Sequence, residues 1–186
     1  MKSKSLEKYL LKKFELESIE ELNFEEVEEI LLNNIDNNGE ELDYDFRDFE
    51  SFKNLKYISL QNFIIRNFET NELSRCKNLS AIQFSNCNLK SKSRLKGNIK
   101  LISFNNCNNF RIKYLSLLKN LEVLKISNFK RISLNRSCLM LKKLEKIRFE
   151  NVTIYNFGVL SRLKNLSSIQ VENCKLNKKI FWNSCD

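Results

Sequence analysis

The sequence contains no histidine, no proline and only three glycines. Without histidine there is no Ser-His-Asp triad, no Cys-His pair and no histidine-ligated metal centre. So few glycines leave little for a glycine-rich phosphate loop. No run of 18 apolar residues occurs, so no membrane-spanning helix is expected. No apolar stretch of 7–15 residues follows Lys2 and Lys4, so no export signal is read and a cytoplasmic location is expected. None of the six cysteines (Cys76, Cys87, Cys107, Cys138, Cys174 and Cys185) sits in a C-x-x-C pair. Zinc and dithiol redox chemistry therefore lack local support, and the cysteines are read as reduced thiols, most of them buried.

What is present is a globular mixture: 186 residues, 42% hydrophobic and 30% charged. That is enough for one domain with a sizeable core. The charge is unevenly placed. Residues 1–50 carry 16 acidic and 6 basic side chains, whereas residues 51–186 carry 7 acidic and 26 basic ones. Such asymmetry is information about partners rather than fold.

The chain repeats itself. Leu144, Ile147, Phe149, Val152 and Ile154 fit the pattern L-x-x-L-x-L-x-x-N/C-x-L. So do Leu166, Ile169, Val171, Cys174 and Leu176, and Leu79, Ile82, Phe84, Cys87 and Leu89. Leu55, Ile58, Leu60, Phe63 and Ile65 make a fourth copy. Ile99, Ile102, Phe104 and Cys107 make a fifth, and Leu121, Leu124, Ile126 and Phe129 a sixth. In these last two the final apolar position holds Asn109 and Arg131, with Phe110 and Ile132 one residue later, which predicts local bulges. The copies start at 55, 79, 99, 121, 144 and 166. An apolar pair three residues apart precedes most strands: Phe49/Phe52, Leu73/Cys76, Leu115/Leu118, Cys138/Leu141 and Leu160/Leu163.

This pattern, over about residues 49–176, resembles the leucine-rich repeat family in its short bacterial, internalin-like form. The resemblance implies an α/β solenoid: a curved parallel sheet on the concave face and an irregular or 3₁₀ convex side, with neighbouring repeats stacking into one core. Residues 1–48 are expected to form a helical N-terminal cap: a helix carrying Leu6, Tyr9, Leu10 and Phe14, a second over 24–32 capped by Asn23, and a strand through Leu42, Tyr44 and Phe46. Six repeats over 49–176 and a short tail, 177–186, complete the expected organisation. The tail, with Ile180, Phe181 and Trp182, is read either as a minimal lid or as an edge that pairs with a partner or a second copy, leaving monomer and dimer both open.

In this family the concave face is the usual binding surface. Alternation along the strands places three columns there. The middle one reads Ser59, Gln83, Ser103, Lys125, Arg148 and Gln170. Before it run Tyr57, Ala81, Leu101, Val123, Lys146 and Ser168, and after it Gln61, Ser85, Asn105, Ser127, Glu150 and Glu172. The candidate partner-binding residues are Tyr57, Ser59, Gln83, Leu101, Val123, Lys125, Lys146, Arg148, Glu150 and Gln170, with Tyr57, Leu101 and Val123 as exposed apolar anchors. Lysines recur where each strand begins. Lys53, Lys77, Lys96, Lys119, Lys142 and Lys164 would line one rim, and Lys90, Lys92, Arg94, Arg111, Lys113, Lys130, Arg131, Lys175, Lys178 and Lys179 the other. Such a track suits a phosphate backbone; a solvated turn would look the same. The eight glutamates of 15–29 are read as a solvated face or as a screen for the basic solenoid.

No catalytic constellation, cofactor or metal site is expected. The expectation is a non-catalytic binding protein, an adaptor or inhibitor, whose partner is a protein; direct RNA binding is the alternative. The sharper form is a phage-type anti-CRISPR inhibitor of an RNA-guided nuclease, and the remaining one an adhesion module of an exported protein.

Overall fold

The protein is described by a computed structural model covering residues 4–34, 49, 51–65, 73, 75–90 and 94–177. One helix, α1 (Lys4–Phe14), opens the chain. It is followed by two 3₁₀ turns, Ile19–Glu21 and Phe24–Glu26. Ten strands follow among the described residues: β1 (Glu29–Asn33), β2 (Tyr57–Gln61), β3 (Ile64–Ile65), β4 (Ala81–Ser85), β5 (Asn88–Leu89), β6 (Leu101–Asn105), β7 (Val123–Ser133), β8 (Lys146–Tyr155), β9 (Ser168–Glu172) and β10 (Lys175–Asn177). The main sheet is wholly parallel and runs β1-β2-β4-β6-β7-β8-β9. Its register stacks equivalent repeat positions: Ile58 lies beside Ile82, Ile82 beside Ile102, Ile102 beside Leu124 and Leu124 beside Ile147. This is a leucine-rich repeat solenoid.

The sheet corrects the expected N-terminal cap. Segment 24–32 is not a helix. Asn23 does cap, accepting a hydrogen bond from the Glu25 amide, but the cap opens a single 3₁₀ turn. The chain then extends into β1, with Ile30 and Leu32 buried and Glu29, Leu31 and Asn33 outward. Helix propensity over this glutamate-rich stretch loses to the edge of β2, which offers an in-register ladder and a core for Ile30 and Leu32. The solenoid therefore gains a seventh rung ahead of the six repeats. The first expected helix is correct over Lys4–Phe14, where Leu6 and Leu10 are buried against the end of the core. The expected strand through Leu42, Tyr44 and Phe46, the boundary at 48, and the tail from 178 lie outside the described residues.

The convex pairs are all buried, from Phe49 and Phe52 to Leu160 and Leu163, and 3₁₀ turns carry them at Ile112–Leu115, Arg136–Met140 and Phe157–Arg162. Phe84 stacks on Phe104 at 5.3 Å, Phe104 meets Phe110 at 4.2 Å, and Phe110 meets Phe129 edge-on at 5.8 Å. This aromatic spine fills the middle of the solenoid, each pair contributing about 0.5–1.5 kcal/mol beyond its burial. Cys87 and Cys107 fill the repeat's N/C position and are buried, their sulfurs 3.3 and 3.5 Å from the Leu60 and Phe84 carbonyls of the preceding rungs. Cys76 and Cys138 are buried too, whereas Cys174 is only half-buried. In the last rung Ile169 and Val171, inward-facing by repeat position, are 42% and 43% exposed.

An asparagine closes the concave run of each repeat. Asn62, Asn86, Asn106, Asn128, Asn151 and Asn173 all take the left-handed conformation, with φ between 49° and 63°. Asparagine tolerates that region better than other side chains. Their amides form a ladder along the rim: Asn62 donates to Asn33 at 2.8 Å, Asn106 to Asn86 at 2.9 Å, and Asn151 to Asn128 at 2.8 Å. The ladder turns the backbone out of the main sheet into a second, narrower one. There β3 pairs with β5 and Asn88 bridges to Asn108, while the far halves of β7 and β8, continuous with the main sheet, pair with each other and β8 pairs with β10.

Candidate binding surface

The three concave columns are built as the alternation predicts. Tyr57, Ala81, Leu101, Val123, Lys146 and Ser168 are lateral neighbours, as are Ser59, Gln83, Ser103, Lys125, Arg148 and Gln170. β1 adds Glu29, Leu31 and Asn33 at the head of the columns, with Leu31 45% exposed. Parallel strands hold such side chains about 5 Å apart, so each column is a fixed row of functional groups.

Two features differ from expectation. The apolar anchors Tyr57, Leu101 and Val123 are half-buried rather than exposed, because flanking side chains on a pleated sheet cover one another's sides. Tyr57 also spends its hydroxyl within the sheet, donating to Gln83 Oε1 at 3.0 Å, and Gln83 in turn donates to Ser85 Oγ at 3.3 Å. This network ties down the N-terminal part of the face.

The cations are brought together in the C-terminal part. Lys125 and Lys146 are exposed and have no carboxylate partner among the described residues. Arg148 is engaged: its Nη2 lies 3.2 Å from Glu150 and 3.1 Å from Glu172. That bridge joins β8 to β9 and relieves the repulsion between two carboxylates in one column. The surface formed by Leu101, Val123, Lys125, Lys146, Arg148 and Glu150 therefore combines an apolar pair with charges of both signs. Ser59 and Gln170 lie outside this cluster, near the two ends of the middle column.

The rim lysines divide in two. Lys53 forms an ion pair with Glu25 at 3.0 Å, and neighbouring Lys56 pairs with Glu28. Here the acidic segment screens the solenoid. Lys77, Lys119, Lys142 and Lys164 are exposed without a carboxylate partner among the described residues. Beside them runs an amide row that the sequence reading missed: Asn78 donates to the Lys53 carbonyl at 3.0 Å, Asn120 to Asn98 at 2.7 Å, and Asn165 to the Lys142 carbonyl at 2.6 Å. The strand-end asparagines were missed as well. Their signal was in the sequence, since they recur at the same intervals as the repeats.

No group of three or more metal-ligating side chains occurs among the described residues. Burial pushes Cys138 up to about 11. Cys107 donates its thiol proton to Cys87, which together with burial holds Cys107 far above the ordinary thiol range, and the same hydrogen bond holds Cys87 below it.

No protein-family model matches the sequence, and no characterised protein matches it in sequence comparison. Among solved structures the chain is similar to internalin C2 from Listeria monocytogenes, at 14% identity and a TM-score of 0.51, covering 94% of this chain and 86% of that one. It is also similar to TLR13 in a TLR13–ssRNA13 complex, at 19% identity and a TM-score of 0.51, covering 82% of this chain and 26% of the receptor's. Both are leucine-rich repeat proteins, which agrees with the fold built above.

Proposed function

We propose that this protein is a non-catalytic leucine-rich repeat module, an adaptor or inhibitor, that holds a protein partner on its concave sheet. The observation that carries this is the C-terminal patch. Exposed Lys125 and Lys146, without a carboxylate partner among the described residues, flank half-buried Leu101 and Val123 on a parallel sheet, with Glu150 and Glu172 alongside. An apolar centre with a rim of mixed charge suits a protein surface. The two glutamates disfavour a phosphodiester chain at this place, and free lysines favour acidic side chains on the partner.

The test is a pull-down from bacterial lysate at about 0.15 M salt, with and without nuclease. A stoichiometric protein that survives nuclease and is lost from the Lys125→Glu/Lys146→Glu variant supports the reading. Retention by that variant overturns it.

A second reading, direct RNA binding, is favoured by the charge of the later rungs. Residues 106–177 carry 14 basic and 4 acidic side chains, and TLR13 is similar in fold and was solved in an ssRNA13 complex. RNA recovered without protein, and lost with nuclease, supports it. Inhibition of an RNA-guided nuclease in a cleavage assay is the sharper form of either reading, and a nuclease among the captured partners would support it.

A further inference from the structure

Beyond the asparagine ladder the pairing between neighbouring rungs is interrupted at β7. Asn88 bridges to Asn108, and the far half of β7 pairs with β8, but no pairing joins 108–112 to 129–133 among the described residues. Both flanks of the gap carry an irregularity. Asn109 takes the left-handed conformation, with φ of 59°. On β7 the register slips between Phe129, opposite Val152, and Ile132, opposite Ile154, so one extra residue is accommodated around Lys130 and Arg131. Bulges bend the strand and re-aim the side chains around them. Between the left-handed Asn109 and the bulge of β7 lies a cleft of about 670 Å³.

The walls of this cleft are cationic. Arg111 and Lys113 stand on one side and Arg131 on the other; all three are exposed and have no carboxylate partner among the described residues. No aspartate or glutamate lines the cleft. None occurs anywhere in 106–121, 128–144 or 151–171, the turns and return legs of three successive rungs. Neutral donors complete the lining. Asn135 uses its side-chain oxygen to accept from the Ser137 amide, which leaves its amide group for a ligand. A half-buried Tyr155 ring adds an aromatic wall.

We propose that this cleft binds the phosphate of a nucleotide, with Arg111 and Arg131 gripping the phosphate oxygens and Lys113 adding charge. Two guanidinium groups match a phosphate in paired hydrogen bonds. The volume lies within the range of small-molecule sites and far exceeds what a bare phosphate needs. The aromatic wall and the Asn135 amide suit the base. The site faces the flank of the solenoid, away from the concave columns, and is independent of the protein-binding reading.

The test is titration with AMP, adenosine and inorganic phosphate, and with a short oligouridine bearing either a 5′-phosphate or a 5′-hydroxyl. Saturable AMP binding, weakened about tenfold or more by Arg111→Gln/Arg131→Gln and within about twofold of wild type in Lys125→Glu, supports the proposal. Tighter binding of the phosphorylated oligouridine than of AMP supports it too, and names an RNA end as the source of the phosphate. Adenosine binding as well as AMP removes the phosphate from the recognition and overturns it. Equal affinity for inorganic phosphate overturns the nucleotide assignment. An equal loss in Lys125→Glu would show diffuse attraction to a basic surface and overturn the site. No binding of AMP or the phosphorylated oligouridine overturns it outright. The altered side chains are exposed, and an unchanged melting temperature for each variant confirms that the fold is kept. Capture of a protein partner by the concave face should be unaffected by Arg111→Gln/Arg131→Gln, which separates failure of this site from failure of that reading.

Discussion

At the head of the solenoid, Lys13, Lys53 and Lys56 meet Glu29, Glu25 and Glu28. From β7 onward, Lys119, Lys125, Lys142, Lys146 and Lys164 occupy equivalent rows on the same backbone with no carboxylate partner among the described residues. The two regions share a repeat, a register and a buried core, and differ in the surroundings of their cations. A solenoid permits this because each rung contacts only its neighbours. Packing can be uniform along the stack while the surface changes rung by rung. The acidic N-terminal segment reaches only the first rungs, and the basic field beyond them stays open to a partner.

The comparison breaks most severely if packing, and not only charge, differs between the regions. Phe84→Ala in β4 and Phe149→Ala in β8 each remove a fully buried ring. Each is expected to cost about 3–5 kcal/mol. Denaturant unfolding measures this, and a gap between the two above about 2 kcal/mol would mean that the two regions are packed unequally.

The next effect is on binding. Lys125→Glu with Lys146→Glu should weaken a concave-face protein partner about a hundredfold. Lys53→Glu with Lys56→Glu, at the screened end, should change affinity less than about threefold. Titration calorimetry with the captured partner decides between them. Equal losses would show that the partner distinguishes neither the position nor the screening of these lysines.

A smaller effect sharpens what is common to both regions. Asn128→Ala loses the hydrogen bond it donates to Asn105 at 2.6 Å and the one it accepts from Asn151 at 2.8 Å, and places alanine at φ of 60°. A loss of about 1–2 kcal/mol is expected. Asn128→Gly relieves the backbone term and keeps only the lost hydrogen bonds, so it should cost less. Thermal melts that rank glycine below alanine would remove the conformational account of the ladder.

Arg148 offers a contrast of its own, since it is the one cation of the late concave patch that is paired. Arg148→Gln leaves Glu150 and Glu172 facing each other on an exposed sheet, and about 0.5–1 kcal/mol is expected. Raising the salt should shrink that difference by screening. A difference that grew with salt would contradict the bridging role.

These contrasts show which parts of the molecule the sequence could disclose. Inward and outward positions from Tyr57 to Glu172 were legible because strand alternation has a period of two and the repeat supplied its phase. The bulge of β7 was legible as a one-residue shift at Arg131, and the shift at Asn109 falls on a residue with left-handed backbone. That the two would flank one cleft and bring Arg111, Arg131 and Asn135 to it is a tertiary fact, since it depends on which rungs are adjacent. β1 was hidden for a physical reason. Asn23 followed by Glu25 and Glu26 is the chemistry of a helix start, and only the waiting edge of β2 makes Ile30 and Leu32 a strand. The screening of Lys53 by Glu25 needed that strand, so the division of the rim was hidden with it.

The smallest effect tests the screened end itself. Lys13 packs along α1 with its amine 3.2 Å from Glu29 and 5.7 Å from the centre of the Tyr9 ring. Burial works against its charge, but Tyr9 and Glu29 outweigh that and hold its pKa above the ordinary 10.5. A lysine whose pKa is raised on folding stabilises the fold fully below its unfolded pKa. That contribution is lost as the pH rises through the higher, folded value. Lys13→Gln should therefore be less stable than the native chain at neutral pH by no more than about 1 kcal/mol, because the pair is partly exposed. The two should converge in melting temperature as the pH climbs above 10.5. A difference that persisted unchanged in strong alkali would assign the contribution to the apolar stem of Lys13 packed on Tyr9 and Phe14 rather than to its charge. The acidic segment would then be no more than a neighbour of the first rung, and the contrast between the two regions would rest on Lys53 and Lys56 alone.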